Sequence, residues 1–249
     1  MKSDSRPTNT ESNCPQAQVA SVIFEDNHVV VVIKAQGVLV DDMVTQLKKD
    51  RPYCVTVHRL DQVTGGVMLF AKSSKAAARL SEQIKDHKFE KTYLAVVLGI
   101  PKKREDTLVH HLLKNETKNI VTVVPLATVG AKRAELTYQV VNKPPVDKKD
   151  MSLVKVNLVT GRTHQIRVQM AQIGNPIFGD AKYVGRKTGP NGEEIITHGD
   201  KLGKGWDIAL WAHELVFTHP TTDEVMRFIV NPPETVPWTS FEFERKKNK

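Results

Sequence analysis

The sequence predicts a one-domain α+β protein, on three observations. Its 249 residues can bury a sizeable core, and 40% hydrophobic with 26% charged residues is ordinary globular usage. Strand-like and amphipathic helical segments follow one another from about residue 22. The stretch 153–158 alternates apolar and polar side chains, which is typical of a half-buried antiparallel strand.

The elements predicted in the N-terminal half follow from features of the local sequence. A β-branched run over 29–33 predicts a strand, and 43–49 is a short helical candidate. Residues 67–71 follow a glycine pair and have strand composition. Ser73 or Ser74 can then cap a helix whose apolar residues recur at helical spacing.

The C-terminal half mixes strands, one helix and a long connection. Strands are predicted at 93–98 and 136–141 and within 208–230. A helix is predicted from Thr163 to near Gly174, with apolar residues on one side and polar residues on another. Between 179 and 205 many glycines and charges without periodicity predict a long exposed loop.

The domain organisation follows from composition. Residues 1–20 are predicted to be a disordered polar leader, 21–240 the folded domain and 241–249 a basic tail. The 36 Lys and Arg against 28 Asp and Glu give a net charge of +8, which suits a polyanionic partner. Without an apolar run that could span a bilayer or a secretory signal, we expect no membrane association and a cytoplasmic protein, with an organelle or the nucleus as alternatives.

Several common site types are excluded. Cys14 and Cys54 are too few for a disulfide framework or a thiolate metal site. The segment beginning at His213 resembles a zinc-protease helix, but Phe217 stands where the second His is required. The glycines of 199–205 are too closely spaced for a phosphate-binding loop, so neither a metal nor a nucleotide cofactor is predicted.

The first segment with chemical potential is 58–66, in which Asp61 lies between an apolar residue and a glycine turn. A carboxylate beside cations stays ionised and can act as a nucleophile. His58 and Arg59 can face a phosphodiester backbone. The alternative is an Asp that begins a turn and an Arg that pairs with it.

The second segment is 160–167, where a predicted strand ends and a helix begins with Arg162 and Arg167 in its opening turns. Free N–H groups at a helix N-terminus attract anions, and arginine adds forked donors. Two arginines at the positive end of a helix dipole are unfavourable unless an anion compensates them. The alternative is a solvated, polar start of a helix.

Together these segments carry a family resemblance. The sequence resembles the RluA-type pseudouridine synthases, which isomerise uridine within RNA. The motifs occur in the family's order: His-Arg-Leu-Asp at 58–61, Thr-Gly-Gly at 64–66, Glu-Lys-Thr-Tyr at 90–93, Gly-Arg-Thr-His-Gln-Ile-Arg at 161–167 and Gly-Asp at 179–180.

The resemblance implies a pseudouridine synthase fold, with a central, mostly antiparallel mixed sheet and flanking helices and loops. It implies that Asp61 is the catalytic nucleophile, that Tyr93 packs on the target uracil and that Arg167 pairs with the aspartate. Arg59 would enter the RNA where the base has left. The family uses no metal or organic cofactor, and the expected partner is RNA, ribosomal or transfer RNA above all, bound by a monomer.

Four further residues are assigned to RNA binding or to ordering the site: His58, Arg162, His164 and Gln165. The sequence departs from the family where Lys34 is followed by Ala rather than Pro, at Gln169, and at Trp211, which could stack on a base or fill the core. One rival interpretation is a catalytically inactive RNA-binding or RNA-chaperone protein on the same fold. Another is glycoside or nucleoside hydrolysis, which normally needs a second carboxylate near the first.

Overall fold

A computed structural model describes residues 20–142, 151–188, 194–196 and 207–242. The predicted leader, apart from Ala20, and the predicted tail beyond residue 242 lie outside the described residues. The predicted α+β class is confirmed, because one large mixed and mostly antiparallel sheet carries three α-helices in the described part of the chain. The elements follow in the order β1 (Ala20–Glu25), β2 (Val29–Lys34), α1 (Val40–Leu47), β3 (Val55–Thr56), β4 (Gly65–Ala71), α2 (Ser74–Lys85), β5 (Glu90–Leu98), β6 (Glu105–Asn115), β7 (Ile120–Val124), β8 (Lys132–Asn142), β9 (Met151–Leu158), α3 (Gln165–Gln172), β10 (Arg186–Thr188), β11 (Glu194–Ile196), β12 (Leu210–Thr218) and β13 (Val225–Ile229).

The main sheet runs in the order β1-β2-β4-β12-β5-β9-β8-β6-β7. The late strand β12 lies between β4, to which it is parallel, and β5, to which it is antiparallel. Strand β13 pairs with β12, and strand β3 pairs with β4. Strands β10 and β11 form a separate hairpin. Residues close in the sheet are therefore often distant in sequence.

The predicted N-terminal elements form for the expected reasons. Strand β2 is made of β-branched residues that are almost entirely buried between its two neighbours. Ser73 is the N-cap of α2, and its hydroxyl accepts a hydrogen bond from the backbone N–H of Ala76 at 3.1 Å. Helix α1 begins at Val40, three residues before the predicted start, and ends at Leu47.

Helix α3 differs from the expectation of one apolar and one polar side. Every residue from 165 to 171 is buried. Two of its amides donate inside the protein, Gln165 Nε2 to the carbonyl of Glu135 at 3.0 Å and Gln169 Nε2 to that of Leu108 at 3.1 Å. The buried Oε1 of Gln169 has no hydrogen-bond partner among the described residues. A helix enclosed on all sides cannot be recognised by amphipathic periodicity.

The predicted exposed loop over 179–205 is wrong in its first part. Asp180 and Tyr183 are buried, at 1% exposure each. The chain then forms β10 and β11, and most of the remainder lies outside the described residues. Phe241, one residue beyond the predicted domain boundary at 240, is buried in the main core.

The pair Gly65 and Gly66 at the start of β4 is explained by the close approach of β12. A Cβ on Gly65 would lie 2.3 Å from Cζ3 of Trp211. A Cβ on Gly66, whose φ is +122°, would lie 2.2 Å from the carbonyl oxygen of Ala212. These two glycines begin β4 and let β12 pack directly beside it.

The helices of the described segments are short compared with the thickness of a bilayer. The longest helix in the described segments is α2, with 12 residues, and none of the described helices has the length and apolar composition needed to cross a membrane.

Candidate active site

An open cleft of about 1400 Å³ lies where three segments converge: the loop before β4, the chain leading into β5, and the connection from β9 to α3. Seven cationic side chains line it against two carboxylates, those of Asp61 and Glu90. The cations are Arg59, Lys85, Lys91, Lys114, Arg162, Arg167 and Lys182. The cleft is therefore electropositive around a small number of acids.

Asp61 stands on a tight turn that Lys34 holds from below. The turn closes through a hydrogen bond from the N–H of Thr64 to the carbonyl of Asp61 at 3.0 Å. Lys34 is fully buried, and its ammonium donates to the carbonyls of Gln62 and Thr64 at 2.8 Å each and of Ala35 at 3.0 Å. Burial lowers the pKa of Lys34 to about 8, and the negative charge of Asp61 opposes that shift.

Arg167 joins Asp61 to a second, deeply buried carboxylate. Its Nη1 lies 3.4 Å from Oδ2 of Asp61, whose side chain is 25% exposed. Its Nε and Nη2 donate to the two oxygens of Asp180 at 2.7 Å each, and the Asp180 side chain has no exposure. Burial alone would lower the pKa of Arg167, but the hydrogen bonds and charge of Asp180 raise it, with a further contribution from Asp61.

These ion pairs show how the positive charge of Arg167, in the segment 160–167, is balanced. The Arg167 guanidinium near the start of α3 is compensated by protein carboxylates. The alternative of a solvated polar helix start is wrong, because Gln165, Ile166 and Arg167 are all buried.

His164 precedes α3 in the left-handed region, at φ 51°, and its imidazole is buried. Its Nε2 lies 3.9 Å from Oδ2 of Asp61, and its Nδ1 lies 2.7 Å from the hydroxyl of Tyr183. Burial lowers the pKa of His164, although the charge of Asp61 acts in the opposite direction. The imidazole is therefore neutral at pH 7.

Tyr93 lines the same cleft from β5 and is 6% exposed. Burial, with a smaller effect of the Asp61 charge, raises the pKa of Tyr93, so its phenol keeps its proton at neutral pH. The structure thus brings Asp61, Arg167 and Tyr93 to one opening, although they lie in three distant parts of the sequence.

Two predicted contacts lie on the rim. The Arg59 side chain is 67% exposed, and its Nη2 lies 3.6 Å from Oδ2 of Asp41. Arg162 donates from Nε to the carbonyl of Arg133 at 3.1 Å. Exposed pairs of this kind are weak, so Arg59 can leave Asp41 for another anion.

The other two residues assigned to RNA binding or to ordering the site, His58 and Gln165, are buried side chains at the wall of the cleft. Nε2 of His58 accepts a hydrogen bond from the N–H of Leu69 at 3.0 Å, and burial, with the charge of Lys91, lowers the pKa of His58 to about 3. His58 is therefore a neutral imidazole that lines the cleft, and its contact with RNA stays a prediction. Gln165 accepts from the hydroxyl of Thr160 and from the N–H of Arg162, so it orders the loop that borders the cleft.

Sequence reasoning missed three supporting residues. Lys34 was noted only for its neighbour, and Asp180 only as part of a Gly-Asp motif without a role. Tyr183 lies in the stretch whose lack of periodicity indicated an exposed loop, so no pattern could have found it.

The two remaining departures from the family are structural. Trp211 is buried and donates from Nε1 to the carbonyl of Val230 at 3.0 Å. Gln169 is buried among β6, β8 and α3, where Nε2 also lies 2.9 Å from Nδ1 of His110. Trp211 therefore fills the core and is not among the residues that line the cleft.

The described segments contain no group of three or more His, Cys, Asp or Glu side chains that could hold a metal ion.

Comparisons with known proteins give the family. Residues 28–172 match the RNA pseudouridylate synthase family. The chain is 32% identical to the ribosomal large subunit pseudouridine synthase C of Vibrio vulnificus, covering 85% of this chain but 65% of that protein. It is 30% identical to the dual-specificity RNA pseudouridine synthase RluA of Haemophilus influenzae, covering 88% of this chain and 95% of that protein.

Solved structures show the same fold. Human RNA pseudouridylate synthase domain containing 1 is 24% identical, with a TM-score of 0.69 over 88% of this chain and 85% of that chain. The chain spans a little under two thirds of the length of the ribosomal relatives. With a family match over more than half of its length and a 30% identical relative covered almost completely, the chain belongs to the RluA-type RNA pseudouridine synthase family.

Proposed function

We propose that this protein converts specific uridines in structured RNA to pseudouridine, with Asp61 as the nucleophile. The observation that carries the proposal is the Asp61 carboxylate, paired with Arg167 at 3.4 Å and still partly exposed in an open, cation-lined cleft. A nearby guanidinium favours the ionised carboxylate that a nucleophile requires.

The reaction matches the groups present. The C1′–N1 bond of uridine breaks, a C1′–C5 bond forms, C5 loses a proton and N1 gains one, so there is no net oxidation or reduction. The ionised Asp61 can attack the base or the sugar, or remove a sugar proton on the way to a glycal. The protonated phenol of Tyr93 offers a flat face to the uracil and a hydroxyl close to the proton transfers.

The cleft also suits a polymer. Its volume exceeds the roughly 300–1,000 Å³ of ordinary small-ligand pockets. A stacked base cannot reach Asp61, so the uridine must turn out of the RNA. The exposed, weakly paired Arg59 lies on the rim, where it can fill the vacancy, and the other rim cations can contact phosphates.

Ribosomal or transfer RNA is the proposed substrate. The name of the Vibrio vulnificus relative, a ribosomal large subunit pseudouridine synthase, supports ribosomal RNA, and that of the Haemophilus influenzae relative, a dual-specificity RNA pseudouridine synthase, supports an RNA substrate. A monomeric state and a cytoplasmic location stay predictions. Size-exclusion chromatography with light scattering and a tagged chain in cells test them.

The decisive experiment incubates the purified protein with total RNA from a strain lacking its gene and maps pseudouridine at single-nucleotide resolution. Asp61→Asn should give no new marks, while Asp106→Asn, which changes an aspartate that does not line the cleft, should behave like the wild type. Marks made equally by Asp61→Asn would exclude Asp61 as nucleophile. RNA binding without any marks would favour the inactive binding protein, and release of free uracil would favour hydrolysis.

A further inference from the structure

Tyr183 lies behind the two side chains that approach Asp61. Its ring centroid is 5.2 Å from Cζ of Arg167, and its hydroxyl is 2.7 Å from Nδ1 of His164. Tyr183 is 1% exposed and is not among the residues that line the cleft. A tyrosine that cannot touch a substrate in the cleft thus contacts both neighbours of the nucleophile.

The hydroxyl of Tyr183 has two hydrogen-bond neighbours, the backbone N–H of Val121 and Nδ1 of His164. It accepts a hydrogen bond from the backbone N–H of Val121 at 3.0 Å. Burial raises the pKa of Tyr183 to about 12, so the phenol keeps its single proton and can donate it to Nδ1 of His164. A neutral imidazole that accepts at Nδ1 carries its own proton on Nε2.

That Nε2–H points to one oxygen of the nucleophile. Nε2 of His164 is 3.9 Å, and Nη1 of Arg167 is 3.4 Å, from Oδ2 of Asp61. The hydrogen bond from Arg167 goes to Oδ2, and no hydrogen bond to the other oxygen, Oδ1, is found within the described segments. Arg167 thus donates to Oδ2, and Nε2 of His164 lies near the same oxygen, beyond hydrogen-bond distance. The other tautomer of His164 would instead turn a lone pair toward the carboxylate and repel it.

We propose that Tyr183 is a positioning residue that fixes His164 in its Nε2–H tautomer, so that His164 and Arg167 hold Oδ2 of Asp61 and leave Oδ1 to react. The inference rests on the proposed function, because it assigns the reacting oxygen of the same aspartate. It gives His164 a role in ordering the nucleophile through a neutral donor, distinct from contact with RNA.

The first test does not depend on activity. Long-range ¹H–¹⁵N correlation spectra of the ¹⁵N-labelled full chain report the tautomer of each histidine, and the signal lost in His164→Gln identifies His164. The wild type should show the Nε2–H form, and Tyr183→Phe should shift it toward the Nδ1–H form. A wild-type Nδ1–H form, or a tautomer that Tyr183→Phe leaves unchanged, would overturn the proposal.

The second test uses kinetics on RNA. Tyr183→Phe keeps the ring beneath Arg167 and should lower kcat by about 10- to 100-fold while KM stays nearly constant. The matched control is Tyr138→Phe, because Tyr138 is buried, donates its hydroxyl proton to the carbonyl of Lys103 and lies outside the cleft. This control should keep the wild-type kcat, and the two variants should have similar thermal midpoints.

A double-mutant cycle then asks whether Tyr183 acts through His164. In a His164→Gln background, Tyr183→Phe should cause almost no further loss of kcat. An undiminished loss in that background, or a single-variant loss no larger than that of Tyr138→Phe, would contradict the inference while the wild-type activity upholds the proposed function. A wild type that makes no pseudouridine overturns the catalytic role of Oδ1 together with the function, even if the tautomer is the expected one.

Discussion

Asp180→Asn tests how the buried pair beneath the nucleophile supports the protein. Asp180 accepts from Nε and Nη2 of Arg167 at 2.7 Å each, and from the N–H of Lys182 at 3.1 Å. Asparagine has one oxygen instead of two, so its amide N–H₂ must face an arginine donor. Removing one partner of a buried pair costs about 3–5 kcal/mol, because the other charge stays buried.

The low end of that range applies here, since Asp61 remains 3.4 Å from Arg167 and compensates part of its charge. We expect about 3 kcal/mol, which lowers Tm by roughly 6–12 °C in a chain of this size. Thermal unfolding followed by circular dichroism measures it. The control is Asp106→Asn, whose partly exposed pair with Lys103 should contribute less than about 1 kcal/mol. A Tm for Asp180→Asn within the range of this control would refute the reasoning.

Three further changes test separate parts of the structure. Lys34→Met removes two hydrogen bonds to the turn of Asp61 and one to the carbonyl of Ala35, so we expect kcat on RNA to fall by at least about tenfold, and an unchanged kcat would contradict this. Gly65→Ala would place a Cβ 2.3 Å from the ring of Trp211, so urea unfolding should show that the free energy of unfolding falls by about 1–3 kcal/mol. An unchanged urea midpoint would contradict this close packing. The hydrogen bond from Arg51 holds the pKa of Glu25 at about 2 against an ordinary 4.5. The stabilisation that ionised Glu25 gives the fold is therefore present above pH 4.5 and is lost as the pH falls toward 2. Glu25→Gln should weaken this acid dependence, and identical unfolding curves for the two proteins from about pH 6 to 3 would argue against it.

Local patterns predicted local elements well. The Ser73 cap, the β-branched β2 and the alternation of β9 each depend on neighbours within a few residues, and each is found where expected. The enclosure of α3 could not be predicted, because the amide N–H groups of Gln165 and Gln169 donate to carbonyls of β8 and β6 that are far away in sequence.

The candidate site likewise has residues that the sequence predicts and residues that it does not. The motifs indicated Asp61 and Arg167, and the family resemblance indicated that they meet. The roles of the buried Asp180 carboxylate and the Tyr183 hydroxyl could not be predicted, because both residues lie at the start of a glycine-rich stretch without periodicity. The double hydrogen bond to Asp180 also gives Arg167 a structural role beside its contact with Asp61.

The place of β12 has a consequence for synthesis on the ribosome. Strands β4 and β5 do not pair with each other, and β12 is the strand that lies between them. Until residues 210–218 leave the exit tunnel, the nascent chain holds two incomplete half-sheets with open edges facing one another. Such edges recruit other extended segments, so this interval is when the growing polypeptide is most exposed to aggregation and most dependent on chaperones.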